Sequence, residues 1–155
     1  MNAPVAWPLV IYYDASCPLC ARELGTLKAF DRGARLLLID CSPLDFDDAH
    51  VAEAGLSRHE LMRAIHARDS AGRWYRAIDV FALAYEAGGL AGVAGAFRSP
   101  RWRPIWDWLY PRIADNRMWL SQLGLTRLYG RTIEFAARRA ARRASTCHDG
   151  KCAAP

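Results

Sequence analysis

The chain of 155 residues is 52% apolar and 24% charged, the composition of an ordinary globular protein, and its length favours one domain with its own core. The five cysteines are odd in number and no signal-like segment opens the chain, so we expect no disulfide framework and predict a cytoplasmic location. The net charge of +5 is unevenly spread, because basic residues crowd the C-terminal segment: Arg138, Arg139, Arg142, Arg143 and Lys151. No recognition motif accompanies them, which favours a solvated helix face over a module that binds nucleic acid or an anionic surface.

Two strands joined by a helix open the predicted fold. Residues 9–13 (LVIYY) are β-branched and aromatic, which is typical of a strand. The next stretch has apolar residues at 20, 24, 27 and 30 and a stop signal at Gly33, so it predicts a helix. Residues 35–40 (RLLLID) form a second strand. The connection is long enough for a parallel pair, so the chain begins as an α/β unit.

A short helical region and a hairpin follow. After Pro43 we predict a short helix closed by Gly55, and then a capping box formed by Ser57 and Glu60. Apolar and polar residues alternate on both sides of residues 70–72 (SAG), which indicates a β-hairpin. The predicted order is therefore β-α-β-α-β-β.

Additional helices complete the predicted domain. Asp79 is placed to cap a helix that ends at the glycines 88 and 89, and the nearly uncharged residues 80–97 favour a buried helix and connector over a membrane span. The stretch RWRPIWDWLYPRIADNRMWL supplies another helix, and a last one starts near Thr126. We predict one domain over residues 1–145 and a flexible, cysteine-containing tail over residues 146–155.

The pair Cys17 and Cys20 is the candidate active site. A first cysteine at the amino end of a helix is favoured as thiolate by unpaired N–H groups and the helix dipole. We therefore expect Cys17 to be the exposed attacking sulfur, and Cys20, one turn further, to resolve a mixed disulfide. Asp14 precedes the pair. If its carboxylate lies beside Cys20, it would accept the proton of the Cys20 thiol; if it lies beside Cys17, it would disfavour the Cys17 thiolate. It is equally well placed as a turn or cap residue.

A metal site is the alternative function of these cysteines. Cys17 and Cys20 have the spacing of half a zinc site, and Cys147, His148 and Cys152 offer the other half. The second pair has four intervening residues and lies in the predicted tail, which favours redox chemistry over metal binding. Ala21 stands where a c-type haem motif requires histidine, so we expect no haem and no other cofactor.

The pattern Asp-x-x-Cys-x-x-Cys at 14–20, after a strand and before a helix, resembles the DCC family of predicted thiol-disulfide oxidoreductases. The stretches HARDSAGRWYRAIDVFALAYE and YPRIADNR look like the family's central and C-terminal signatures, so the resemblance covers residues 9–120. It implies a thioredoxin-like fold with extra helices, in which Cys17 and Cys20 form the redox pair with Asp14 beside them. The resemblance says little about the substrate; we expect a protein or small-molecule thiol or disulfide as the client, with no nucleic acid and no membrane span.

Two further expectations concern the surroundings of the pair. Thioredoxins place a cis-proline before the third strand, facing the cysteines, and LSRHELMRAIHA has none, so another segment would have to meet a peptide client. The resemblance of YPRIADNR favours packing over nucleic-acid binding for the aromatic C-terminal helix, with Tyr110, Asn116 and Arg117 as hydrogen-bonding anchors near the sheet.

Overall fold

Four strands form one mixed sheet in the part of the chain that the computed structural model describes, residues 4–122. The spatial order is β2-β1-β3-β4. Strands β1 and β2 pair in parallel, whereas β1 with β3 and β3 with β4 pair antiparallel. The strands are β1 (Leu9–Tyr13), β2 (Leu36–Asp40), β3 (His66–Asp69) and β4 (Trp74–Arg76).

Six helices connect and follow these strands within the described residues: α1 (Pro18–Phe30), α2 (Ala49–Ala52), α3 (Arg58–Arg63), α4 (Ile78–Ala87), α5 (Ala91–Arg98) and α6 (Arg103–Gln122). The order of elements confirms the predicted β-α-β-α-β-β core with additional helices, consistent with a thioredoxin-like fold. The predicted helix from Thr126 and the predicted tail at 146–155 lie outside the described residues.

Helix α1 positions the cysteine pair, and its ends follow from local chemistry. Proline at its first position has no N–H to satisfy there, and its fixed φ suits the helix start. Leu24 and Leu27 are buried against the sheet, where Leu9 pairs with Leu36. Asp31 ends the helix, because its carboxylate accepts hydrogen bonds from the N–H of Arg35 (3.0 Å) and that of Leu36 (2.8 Å).

Two predicted helix starts have different outcomes. The capping box is confirmed, since Ser57 N–H donates to the Glu60 carboxylate over 2.9 Å. The prediction that Asp79 caps α4 is wrong: the helix begins at Ile78, after Ala77 in a left-handed conformation with a φ of 54°. The carboxylate of Asp79 instead pairs with Arg103 at 2.6 Å and so ties α4 to the start of α6.

The aromatic helix α6 lies across α1, α4 and α5. Trp106 packs against Phe97 with ring centroids 4.8 Å apart and the rings tilted by 57°, and Tyr110 lies against Phe81. Packing is thus confirmed for these two aromatic residues and wrong for three tryptophans that are about half exposed: Trp102, Trp108 and Trp119. Within residues 4–122, every helix is too short or too polar to cross a membrane.

Candidate redox site

Cys17 and Cys20 lie at the amino end of α1, as predicted. Cys17 is the N-cap, with extended backbone, and its carbonyl oxygen accepts the first helical hydrogen bond from Ala21 N–H at 3.0 Å. Cys20 lies one turn further along the helix, and both are free thiols. The spacing therefore brings the two sulfurs to one corner of the sheet, just beyond the end of β1.

The electrostatics of the pair are strongly asymmetric. The Cys20 thiol donates a hydrogen bond to Cys17, and this bond is the main reason that the pKa of Cys17 is lowered to about 6. Burial opposes the shift, while backbone N–H groups at the helix start and the charge of Arg117 add to it. The same hydrogen bond, burial and the neighbouring thiolate raise the pKa of Cys20. Cys17 is consequently a thiolate at neutral pH, and Cys20 is a thiol.

The exposure of the two sulfurs is the reverse of what the sequence predicts. Cys17 is fully buried, with 0% of its surface exposed, whereas Cys20 is only partly buried and lines a cavity. The prediction of Cys17 as the exposed sulfur is therefore wrong. Helix α6 packs against α1, and its Arg117 bonds to Asp14 in the turn that precedes the pair.

Asp14 lies in that turn and joins it to α6. Its side chain is buried, accepts a hydrogen bond from Ser16 N–H at 2.9 Å, and pairs with the Arg117 guanidinium at 2.7 Å. Arg117 also donates to the carbonyl oxygen of Met62, so that one guanidinium joins β1, α3 and α6. Asp14 and Cys20 line the same cavity, which places the predicted site residues in one neighbourhood.

Glu23 is a candidate functional residue that the sequence reasoning missed. It lies three residues after Cys20, hence on the same face of α1, and it lines the same cavity. Burial raises the pKa of Glu23 to about 7, opposed by a hydrogen bond from the Tyr85 hydroxyl at 2.9 Å and reinforced by the charge of Cys17. Its charge in turn raises the pKa of Cys20. The spacing of an acid three residues after the second cysteine is the signal that would have identified it.

The cavity beside Cys20 has a volume of about 440 Å³. Its walls come from five helices, the end of β1 and the residue before β3. They are predominantly aliphatic and aromatic, with Leu24, Phe81, Val93, Phe97 and Ile113 among them. Polar groups are few: Cys20, Glu23, the Asp14–Arg117 pair and three tyrosines. A volume of this size is in the range of small-molecule sites.

Residues 11–123 match the family model described as DCC1-like thiol-disulfide oxidoreductase. The chain belongs to this family. The match confirms the resemblance drawn from the motif at Asp14, Cys17 and Cys20. A curated protein of Arabidopsis thaliana, named as an uncharacterized chloroplastic protein, is 31% identical over 91 residues, which are 58% of this chain and 42% of that protein. The chain thus covers less than half of that relative's length. No solved structure matches the present chain.

The C-terminal signature that suggested the DCC1-like family supplies two of the three predicted anchors. The Tyr110 hydroxyl accepts a hydrogen bond from Ile65 N–H at 3.1 Å, just before β3, and Arg117 reaches Asp14. Asn116 does not act as predicted, because its side-chain amide bonds to the Arg112 carbonyl within α6. Two side chains of α6 therefore bond to the segment just before β3 and to the turn that precedes the cysteine pair.

The remaining cysteines bear on the metal alternative. Cys41 is buried, which with the charge of Asp40 raises its pKa to about 12 and leaves it an unreactive thiol. Between residues 4 and 122, no group of three histidine, cysteine, aspartate or glutamate side chains is arranged to hold a metal ion. Cys147, His148 and Cys152, the other half of the predicted zinc site, lie outside the described residues.

Proposed function

We propose that the protein is a thiol-disulfide oxidoreductase whose redox pair is Cys17 and Cys20. The observation that carries this proposal is the placement of two free cysteines at the amino end of α1, with Cys17 as the N-cap and Cys20 one turn further along the helix. The Cys20 thiol and the helix start both lower the pKa of Cys17, which favours its thiolate. A thiolate beside a thiol is poised for exchange, because the thiolate is both a nucleophile and a good leaving group. Family membership supports the same reaction class.

The exchange runs through a mixed disulfide. In the oxidised protein, a client thiolate attacks one sulfur of the Cys17–Cys20 disulfide and the other sulfur leaves with the bonding electrons. A second client thiol then attacks the client sulfur of the mixed disulfide, so the client is oxidised by two electrons and the protein is reduced to the dithiol. The reverse sequence reduces a client disulfide and re-forms the protein disulfide.

Proton transfer falls to Glu23 in this proposal. Cys20 must gain a proton when the protein is reduced and lose it when the protein is oxidised, since its pKa is raised. Glu23 lies in the same cavity with a pKa of about 7, so it accepts or donates a proton readily at neutral pH. Asp14 acts as a positioning residue, because it holds Arg117, whose charge favours the Cys17 thiolate.

A redox titration with trapping of free thiols tests the proposal. We expect a reversible disulfide between Cys17 and Cys20 with a potential between about −270 and −120 mV, mapped by alkylation and mass spectrometry. Metal content is recorded on the same sample. A pair that resists oxidation until a chelator is added would assign these cysteines to metal binding and remove the enzyme proposal.

Replacing Glu23 by glutamine tests the proton-transfer role. We expect single-turnover oxidation of the reduced protein by hydroxyethyl disulfide to slow by about 100-fold above neutral pH, the lower end of what a general base contributes. In the native protein this rate should rise as pH increases through about 7, because Glu23 then becomes a carboxylate. The E23Q protein should lack that inflection. Glutamine keeps an acceptor for the Tyr85 hydroxyl, so packing is preserved.

A matched control and a stability measurement accompany this test. Glu86, which forms an exposed ion pair with Arg98 on the neighbouring helices, should tolerate the same change without effect on the rate. Because folding raises the pKa of Glu23, the native protein binds more protons than the unfolded chain between about pH 4.5 and 7, and its stability falls as pH rises through that window. An E23Q protein with unchanged pH profiles for rate and stability would contradict the role.

A further inference from the structure

The cavity of about 440 Å³ beside Cys20 has predominantly apolar walls. Four of the polar side chains in its walls are paired with one another: Arg117 with Asp14, and the Tyr85 hydroxyl with Glu23. The Tyr110 hydroxyl accepts a hydrogen bond from the backbone N–H of Ile65. Among the described lining residues Arg117 is the only cation, so a client that carries several charges, such as glutathione, finds few partners here.

The backbone before β3 is equally unsuited to a peptide client. A peptide that adds to a sheet edge needs backbone N–H and C=O groups to pair with. Ile65 N–H donates to Tyr110 and its carbonyl accepts from Ala77 N–H at 3.0 Å. Ala64 N–H donates to Glu60 at 3.2 Å, and its carbonyl contacts the His66 ring at 2.8 Å. The backbone N–H and C=O groups of residues 64 and 65, which would pair with a peptide, therefore already have hydrogen-bond partners.

We propose that the cavity binds the hydrocarbon arm of a low-molecular-weight apolar dithiol or disulfide, whose sulfur meets the redox pair at Cys20. This inference rests on the proposed function and names its client class. Cys20 is the cysteine of the pair that lines the cavity, whereas Cys17 is fully buried and is not one of its lining residues. Aliphatic and aromatic walls of this extent stabilise methylene groups, and the sulfur chemistry lies among the few polar groups.

The balanced reaction follows from this placement. A thiolate of the client attacks the Cys20 sulfur of the protein disulfide, the Cys17–Cys20 bond breaks, and Cys17 leaves as thiolate. The second client thiol loses its proton to solvent and attacks the client sulfur joined to Cys20, which closes the client disulfide. Cys20 leaves and takes a proton from Glu23, which had accepted it from the first client thiol. The client loses two electrons and two protons, and the protein gains two electrons and one proton.

Reduction of the oxidised protein by matched dithiols tests the client class. Dihydrolipoamide and propane-1,3-dithiol form the same five-membered cyclic disulfide, but only the first carries a neutral hydrocarbon arm. We expect dihydrolipoamide to react at least about tenfold faster, since several methylenes are buried. Glutathione, charged and without an arm, should be the slowest. Rates are read by rapid quenching with an alkylating reagent and mass spectrometry.

Two occluding variants make the test specific to the cavity. Val93→Phe in α5 and Ala114→Leu in α6 add volume to two different helices of its wall. Each should reduce the rate ratio of dihydrolipoamide to propane-1,3-dithiol to below about threefold, because the arm loses its burial. The ratio is measured on one protein sample, so partial unfolding affects both rates and cancels.

The outcomes separate the client class from the proposed function. A ratio near one in the native protein, or a ratio that both variants leave unchanged, overturns the apolar client while the pair still cycles with dithiothreitol. A cysteine-containing apolar peptide that reacts faster than dihydrolipoamide, and that the variants block, assigns the cavity to a peptide and also overturns it. A pair that no dithiol reduces removes the proposed function itself.

Discussion

Replacing either Cys17 or Cys20 by serine is expected to abolish catalytic turnover, with a loss of at least about 1,000-fold, because serine cannot form the disulfide on which every cycle depends. The two variants should differ in what they trap. With Cys17 replaced, a client sulfur stays bonded to Cys20, which faces the cavity; with Cys20 replaced, the buried Cys17 forms less adduct. Turnover is measured with a disulfide substrate and a recycling dithiol, and adducts by mass spectrometry of the intact protein.

Cys41→Ala is the matched control for the cysteine variants. Cys41 is a buried thiol at the end of β2, and its raised pKa makes it unreactive. Its replacement should leave turnover within about twofold of the native value, although the small cavity it leaves costs some stability. Turnover that survives in either the Cys17 or the Cys20 variant would show that a different sulfur carries the reaction.

Replacing Arg117 by methionine should lower the free energy of unfolding by about 3 kcal/mol, because it leaves the buried Asp14 carboxylate without its charged partner. The hydrogen bonds from Ser16 to Asp14 remain and keep the loss at the lower end of the range for broken buried pairs. The same change should raise the pKa of Cys17 above about 6, since Arg117 favours its thiolate. Chemical denaturation measures the first effect, and the ultraviolet absorbance of the thiolate against pH measures the second.

Two comparisons make the Arg117 experiment specific. Arg112→Met on the same helix removes an exposed guanidinium that lies 3.9 Å from the Trp108 ring centroid, and it should change stability by less than about 1 kcal/mol. Asp14→Asn combined with Arg117→Met should be less destabilised than Arg117→Met alone, because no buried charge is left unpaired. An unchanged Cys17 titration in Arg117→Met would remove Arg117 from the electrostatics of the site.

Local signals in the sequence predicted most of the fold. The apolar runs at 9–13 and 35–40 and the hairpin around 70–72 were sufficient for the order of the strands along the chain, because each signal lies in residues near one another in sequence. The antiparallel pairing of β1 with β3, which sets the order of the strands in the sheet, was not predicted. The position of Cys17 at the start of α1 followed from its proline and the helical pattern beyond it. Asp79 was misassigned because a cap was inferred from residue type, whereas its partner Arg103 lies in another helix.

The candidate site was less predictable because it depends on contacts distant in sequence. The Asp14–Arg117 pair joins residues 103 positions apart, and neither residue type specifies the other. The cavity at Cys20 requires α6 to lie across α1, which no periodicity of either helix reveals. Glu23 gains its raised pKa only from that packing, since an exposed glutamate on a helix would titrate normally.

The hydrogen bond from the Cys20 thiol to the Cys17 thiolate exists only while both sulfurs are reduced. Forming the disulfide forfeits it, together with the attraction between the Cys17 charge and Arg117. The fold therefore stabilises the dithiol relative to the disulfide, and stabilisation of the reduced form makes the oxidised form a stronger oxidant. We expect the reduction potential of the pair to lie near the more positive, oxidising end of the range that exchange enzymes span. Electrons then flow from the client into the protein, and a separate acceptor must remove them.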